Sequence, residues 1–186
     1  MRVIAGTARH LNLETPRGNR VRPTTDRIKE TLFNMLQPRI PGAAFLDLFA
    51  GSGGIGIEAL SRGASLCVFG DRDRQALNCI RANLEHTGLE DRAEVIAGDY
   101  SRTLALLRGR APFDIIFMDP PYDSTLVRQA LKQIADSGLL AGDGVIVAEV
   151  PANEDLRPYL GDDWLIAREK VYKTNKHVFI EQGEEG

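Results

Sequence analysis

The sequence predicts a doubly wound α/β domain on a mostly parallel sheet, and three observations carry that prediction. Short apolar or β-branched runs alternate with helical patterns of about ten or more residues, the mark of repeated βαβ units. Several runs are apolar almost throughout, as parallel strands covered by helices on both faces should be. A glycine-rich turn joins the first such run to the helical pattern after it.

In chain order, strands are expected over 44–48, 65–70, 93–97, 113–118 and 144–150, with helices near 55–62, 74–87, 101–107 and 125–137 between them. After Pro151 the rhythm changes. A short polar helix near 153–159 leads to two strand-like runs, 164–172 and 178–181, separated by the turn residues Lys173, Thr174, Asn175 and Lys176. These close a seven-stranded sheet with a C-terminal antiparallel hairpin. Ahead of the sheet, residues 2–5 and 10–13 can pair as a small hairpin. Thr24 or Thr25 can then cap a helix that packs through Ile28, Leu32, Phe33, Met35 and Leu36.

A chain of 186 residues with 43% hydrophobic side chains can bury one good core, so we expect one domain. Residues 1–40 form a basic extension and 41–182 the core, with disorder expected only in the tail from Gln182. No apolar run approaches the ~20 residues of a membrane span, and Met1 is followed by Arg2-Val3-Ile4-Ala5 with no signal-peptide stretch. A cytoplasmic location and a monomer are the expectations. Cys67 and Cys79 lack metal-ligand or redox spacing and read as buried free thiols. His10, His86 and His177 read as surface or capping residues, and no metal constellation is visible.

The net charge of −3 alone argues against a nucleic-acid partner, because non-specific affinity comes from neutralising phosphates. Its distribution argues the other way. Residues 1–29 carry Arg2, Arg9, Arg17, Arg20, Arg22, Arg27 and Lys29 against Glu14 and Asp26, a local +5 that leaves −8 on the remainder. That is a basic arm on an acidic body.

Asp47-Leu48-Phe49-Ala50-Gly51-Ser52-Gly53-Gly54-Ile55-Gly56 follows an apolar strand and opens a helix. Gly51, Gly53 and Gly56 match a dinucleotide fingerprint, and Asp71, 20 residues beyond Gly51, matches its ribose-binding acid. A nucleoside cofactor without a pyrophosphate would use the same turn and acid, so the motif indicates a nucleoside better than it indicates NAD. Asp71 can instead cap the following helix, although Asp73 is placed to do so. Asp99 follows the third strand, and in a doubly wound sheet Asp47, Asp71 and Asp99 converge on one crevice.

Asp119-Pro120-Pro121-Tyr122 stands directly after the fourth strand. Two prolines lock φ and present a rigid pair of acceptors, the Asp119 carboxylate and the Pro120 carbonyl. An amino group on a nucleobase is a poor nucleophile, because its lone pair is delocalised into the ring. Accepting both of its N–H groups would hold the nitrogen towards a methyl donor, so catalysis would be mostly positioning. Tyr122 would stack on the base for roughly 1–3 kcal/mol, offsetting much of the cost of extruding it.

These residues resemble the Rossmann-like class I S-adenosylmethionine-dependent methyltransferases with an Asp/Asn-Pro-Pro-Tyr/Phe signature, and within them the RsmD family. The carriers are Arg22-Pro23-Thr24-Thr25-Asp26-Arg27-Ile28-Lys29-Glu30-Thr31-Leu32-Phe33-Asn34, then the run from Asp47 through Glu58 to Gly63, then Asp119 to Tyr122. The resemblance implies methyl transfer to N2 of a guanine in 16S ribosomal RNA of the small subunit or its assembly intermediate. It implies S-adenosylmethionine held by Asp47, Phe49, Ala50, Gly51, Ser52, Gly53, Asp71, Arg72, Asp99 and Tyr100. Asp119, Pro120, Pro121 and Tyr122 would be catalytic, with Arg2, Arg9, Arg17, Arg20, Arg22 and Arg27 on RNA. Asp71 stands where many members carry Glu, and Tyr172-Lys173-Thr174-Asn175 lacks a glycine often found after the tyrosine. Adenine-N6 methylation of DNA or RNA, an NAD-dependent oxidoreductase and a non-catalytic RNA-binding module are the competing readings.

Overall fold

The computed structural model describes residues 1–16, 25–121 and 124–183. Its sheet is built from β1 (Ala44–Asp47), β2 (Leu66–Asp71), β3 (Ala93–Ala97), β4 (Phe113–Met118), β5 (Leu140–Pro151), β6 (Trp164–Val171) and β7 (Asn175–Gln182). The spatial order is β3-β2-β1-β4-β5-β7-β6. The first five strands are parallel, and β7 enters antiparallel between β5 and β6. The expected seven strands and closing antiparallel hairpin are therefore present. The insertion of β7 beside β5 is set by long-range pairing.

Among the described residues five helices cover the sheet: α1 (Asp26–Leu36), α2 (Gly54–Ser61), α3 (Arg74–Thr87), α4 (Tyr100–Leu107) and α5 (Ser124–Ala135). Each capping residue answers a local need for acceptors at unpaired N–H groups. Thr25 accepts from Ile28, Asp73 from Gln75 and Asp99 from Arg102. The two faces of the sheet bury separate apolar cores. One is centred on Phe45, Phe69 and Phe117 under α1 to α3; the other is centred on Leu46, Ile116 and Ile146 under α4 and α5.

Three expectations are corrected. The polar helix near 153–159 is a single 3-10 turn, Arg157–Tyr159, because its sequence has no apolar stripe to bury. β5 begins four residues early, at Leu140, and β7 begins at Asn175, because polar Asn175 and Lys176 are buried against acidic partners. The N-terminal hairpin reduces to one bridge, Arg2 to Asn12, flanked by hydrogen bonds between Val3 and Leu11, His10 and Val3, and Leu13 and Met1. Of the two thiols, Cys67 is buried and Cys79 only partly so.

α2 is buried at all eight residues because the N-terminal segment lies over it, opposite the sheet. Gly6 makes this possible: with φ +84°, a Cβ there would stand 1.8 Å from the Ser61 carbonyl oxygen. On the sheet side Gly56 has the same function, since its Cβ would lie 2.3 Å from Phe69 Cε1 and 2.6 Å from Cys67 Sγ. Gly56→Ala should cost about 1–3 kcal/mol by overpacking. An unchanged denaturation midpoint in urea would show that α2 can move off β2 freely.

Candidate active site

Strand order reverses at β1 and β4, and the carboxyl ends there frame a crevice. Asp47 closes β1 with its side chain 1% exposed, one oxygen accepting the Gly56 N–H at 3.0 Å. Burial pushes its carboxyl up to about 7, with the Asp71 charge adding and the Gly56 N–H opposing. Gly51 sits at φ +54° with open space where a Cβ would be, so the turn can approach a ligand. Ala50 and Ser52 are buried in the same turn, and Gly53 takes φ +78° as the residue before α2.

Asp71 ends β2. Its two oxygens accept the N–H groups of Gly51 and Asp73, each at 2.8 Å, which ties the glycine turn to the β2 end. A carboxylate has about four lone-pair sites, so two remain for ribose hydroxyls. Asp73 does the capping, as the sequence suggested. Asp99 is exposed and caps α4 through one oxygen at 2.8 Å, a second role beyond the expected one. The Tyr100 ring stacks on Phe49 with centroids 5.7 Å apart, and its hydroxyl donates to Gln129 at 2.9 Å. Arg72 is exposed beside Asp71.

Asp119 follows β4, with Pro120 buried and Pro121 exposed. Burial of its carboxyl pushes it well above the usual carboxylate range, and the charges of Glu149 and Asp47 push the same way. The residue as a whole is exposed, so water tempers that shift. Asp71, Asp47, Asp119 and Glu149 thus form a row in which Asp47 carries the influence of Asp71, and Asp119 that of Glu149 and Asp47. Such a row attracts a cationic ligand and repels a pyrophosphate. Glycine turn, open ribose acceptors and clustered carboxylates fit an adenosine carrying a sulfonium.

Arg2, Arg9 and Arg27 are exposed on the N-terminal segment, with Arg2 paired to Asp26 at 2.9 Å. Arg17, Arg20, Arg22 and Tyr122 lie outside the described residues. Two expectations fail here. Lys29, counted with the basic arm, is fully buried and paired with buried Glu58 at 3.2 Å. His177, expected as a surface or capping residue, is fully buried: Nε2 lies 3.0 Å from Glu149 and Nδ1 lies 3.2 Å from the Tyr172 hydroxyl. Sequence reasoning missed Glu149; its one local signal is an acid at the end of an apolar strand.

A seven-stranded sheet in this order, with one antiparallel strand and an acidic crevice at its switch point, defines the Rossmann-like methyltransferase fold. The chain belongs to the family described as "Conserved hypothetical protein 95", which matches residues 1–181. It is 40% identical to "Putative rRNA methyltransferase YlbH" of Bacillus subtilis over 98% of this chain and 100% of that one. It is 37% identical to "Ribosomal RNA small subunit methyltransferase D" of Escherichia coli K12 over 92% and 84%. Among solved structures it resembles "Putative methyltransferase yhhF from Escherichia coli", with TM-score 0.86, 34% identity and 98% of each chain covered. No described helix is long and apolar enough to cross a membrane.

Proposed function

We propose that the protein transfers a methyl group from S-adenosylmethionine to the exocyclic N2 of a guanine in 16S ribosomal RNA, within the small subunit or its assembly intermediate. The observation that carries this reading is the carboxylate row that includes Asp119 of Asp119-Pro120-Pro121. The names of the relatives, which specify ribosomal RNA and its small subunit, favour the substrate.

The cofactor supplies an electrophilic methyl group on a positively charged sulfur. Asp71 and Asp99 take the ribose and adenine side, while Phe49 and Tyr100 give the base an apolar wall. Asp47 braces the turn from beneath, through the Gly56 N–H, and Ala50 to Gly53 let the backbone come close. Asp119 and the Pro120 carbonyl accept the two N–H groups of the target amine and aim its lone pair. Tyr122 stacks on the extruded base. Arg2, Arg9, Arg17, Arg20, Arg22 and Arg27 meet phosphate.

The test is transfer of labelled methyl to small subunits lacking their guanine-N2 methylations, followed by nucleoside analysis. N2-methylguanosine is expected. N6-methyladenosine would overturn the base assignment, and absence of label would sink the reading. Arg20→Ala or Arg22→Ala should weaken binding and flatten its logarithmic salt dependence by about one unit of slope. An unchanged slope would remove that arginine from the interface.

A further inference from the structure

Parallel pairing sets Met118 of β4 beside Ala148 of β5, so the next residues, Asp119 and Glu149, emerge side by side on one face. Antiparallel pairing sets Glu149 opposite His177 of β7. Both Glu149 oxygens are engaged: Oε1 accepts from Asn175 Nδ2, and Oε2 accepts from His177 Nε2. A carboxylate only accepts, so the imidazole proton belongs on Nε2 and Nδ1 takes the Tyr172 hydroxyl. The imidazole is further wedged edge-on against Phe117 at 6.2 Å and Tyr172 at 5.2 Å. Glu149 is thus clamped in the wall of the crevice, its side chain 12% exposed, with no freedom to swing to water.

We propose that Glu149, clamped by Asn175 and the Tyr172–His177 pair, is a positioning residue that makes Asp119 the acceptor of the amine proton. This rests on the methyl-transfer reading above. As the amino nitrogen bonds the methyl carbon, the carbon–sulfur bond breaks and its electron pair stays on sulfur. The nitrogen then carries a surplus proton, and its N–H bond breaks towards the Asp119 carboxylate. A neutral methylamine and a neutral thioether result, and Asp119 returns the proton to water on its open side. An ordinary carboxylate is a weak acceptor; one facing a fixed negative charge is a better one. Burial acts on Asp119 first and Glu149 next, with Asp47 facing it from β1. Glu149 itself is faced by His177 from β7 and Tyr172 from the turn before it.

Asp119 accepts only when ionised, so activity should fall on the acid side as it protonates. The experiment measures kcat and KM between about pH 5 and pH 9 on small subunits, with melting curves as a folding check. Glu149→Gln removes the charge and nearly keeps the shape. Its acid limb should move down by about one pH unit and its plateau kcat should fall about tenfold, with KM for S-adenosylmethionine unchanged. Glu149→Asp should restore most of the limb. Should E149Q fail to fold, His177→Asn releases the clamp and should move the limb the same way by less. An active wild type whose limb stays put in these variants overturns this inference alone. An inactive wild type overturns it together with the methyl-transfer reading.

Discussion

Asp119→Ala is expected to lower methyl transfer by at least about 10³-fold while leaving affinity for S-adenosylmethionine nearly unchanged. The substitution removes an acceptor at the β4 end, but touches neither the glycine turn nor the β2 end, which hold each other through Asp71 and Gly51. Removing a carboxylate that Asp47 repels also relieves the crevice, so a general loss of folding is not expected. Equilibrium binding of the cofactor and single-turnover transfer would separate the two effects. Lost cofactor affinity with retained transfer would reverse the role assigned to Asp119. Asp119→Asn keeps an oxygen for orientation but cannot take a proton. It should fall between wild type and alanine.

The largest effect on stability is expected from Glu58→Ala. Glu58 is fully buried, and its two oxygens serve four donors: the backbone N–H groups of Ile4 and Ala5 at 2.8 and 3.0 Å, Lys29 at 3.2 Å and Arg62 at 2.8 Å. Burial holds the Lys29 ammonium below its usual range, and Glu58 is the chief influence opposing that. Without Glu58, Lys29 keeps, among the described residues, a hydrogen bond to the Arg2 carbonyl at 2.5 Å and the influence of the Asp26 charge. Breaking a buried pair by removing one partner costs on the order of 3–5 kcal/mol, roughly 10 °C in Tm for a chain of this size. Lys29→Met combined with Glu58→Gln removes both charges and should recover part of the loss. A melting temperature unmoved by Glu58→Ala would mean that the N-terminal segment is held to α2 by other contacts.

Some elements were legible from local pattern alone. β3 and β4 were placed to the residue because each is a short, mostly apolar run stopped by turn residues; β4 is buried everywhere but at Asp114, whereas β3, at the sheet edge, is largely half-buried and was legible from its composition and bounds alone. The acids of the crevice could be read for a related reason. A parallel sheet sends every carboxyl end to the same edge, so Asp47, Asp71 and Asp119 needed only a place at or next to a strand end to be brought together. β7 was harder, because Asn175, Lys176 and His177 look like solvated turn residues until their acidic partners are known. Those partners are Glu149 and Glu169, from other strands.

The sequence by itself therefore determined the fold class, the glycine turn and the acidic edge, all set by contacts between chain neighbours or by strand direction. Only the tertiary structure decided which ionisable groups are buried. Lys29 and Glu58 are 29 residues apart, as the numbering gives, and Glu149 and His177 are 28 apart. A charged side chain stays in water unless a partner waits in the core, and that partner is fixed by packing rather than by local sequence.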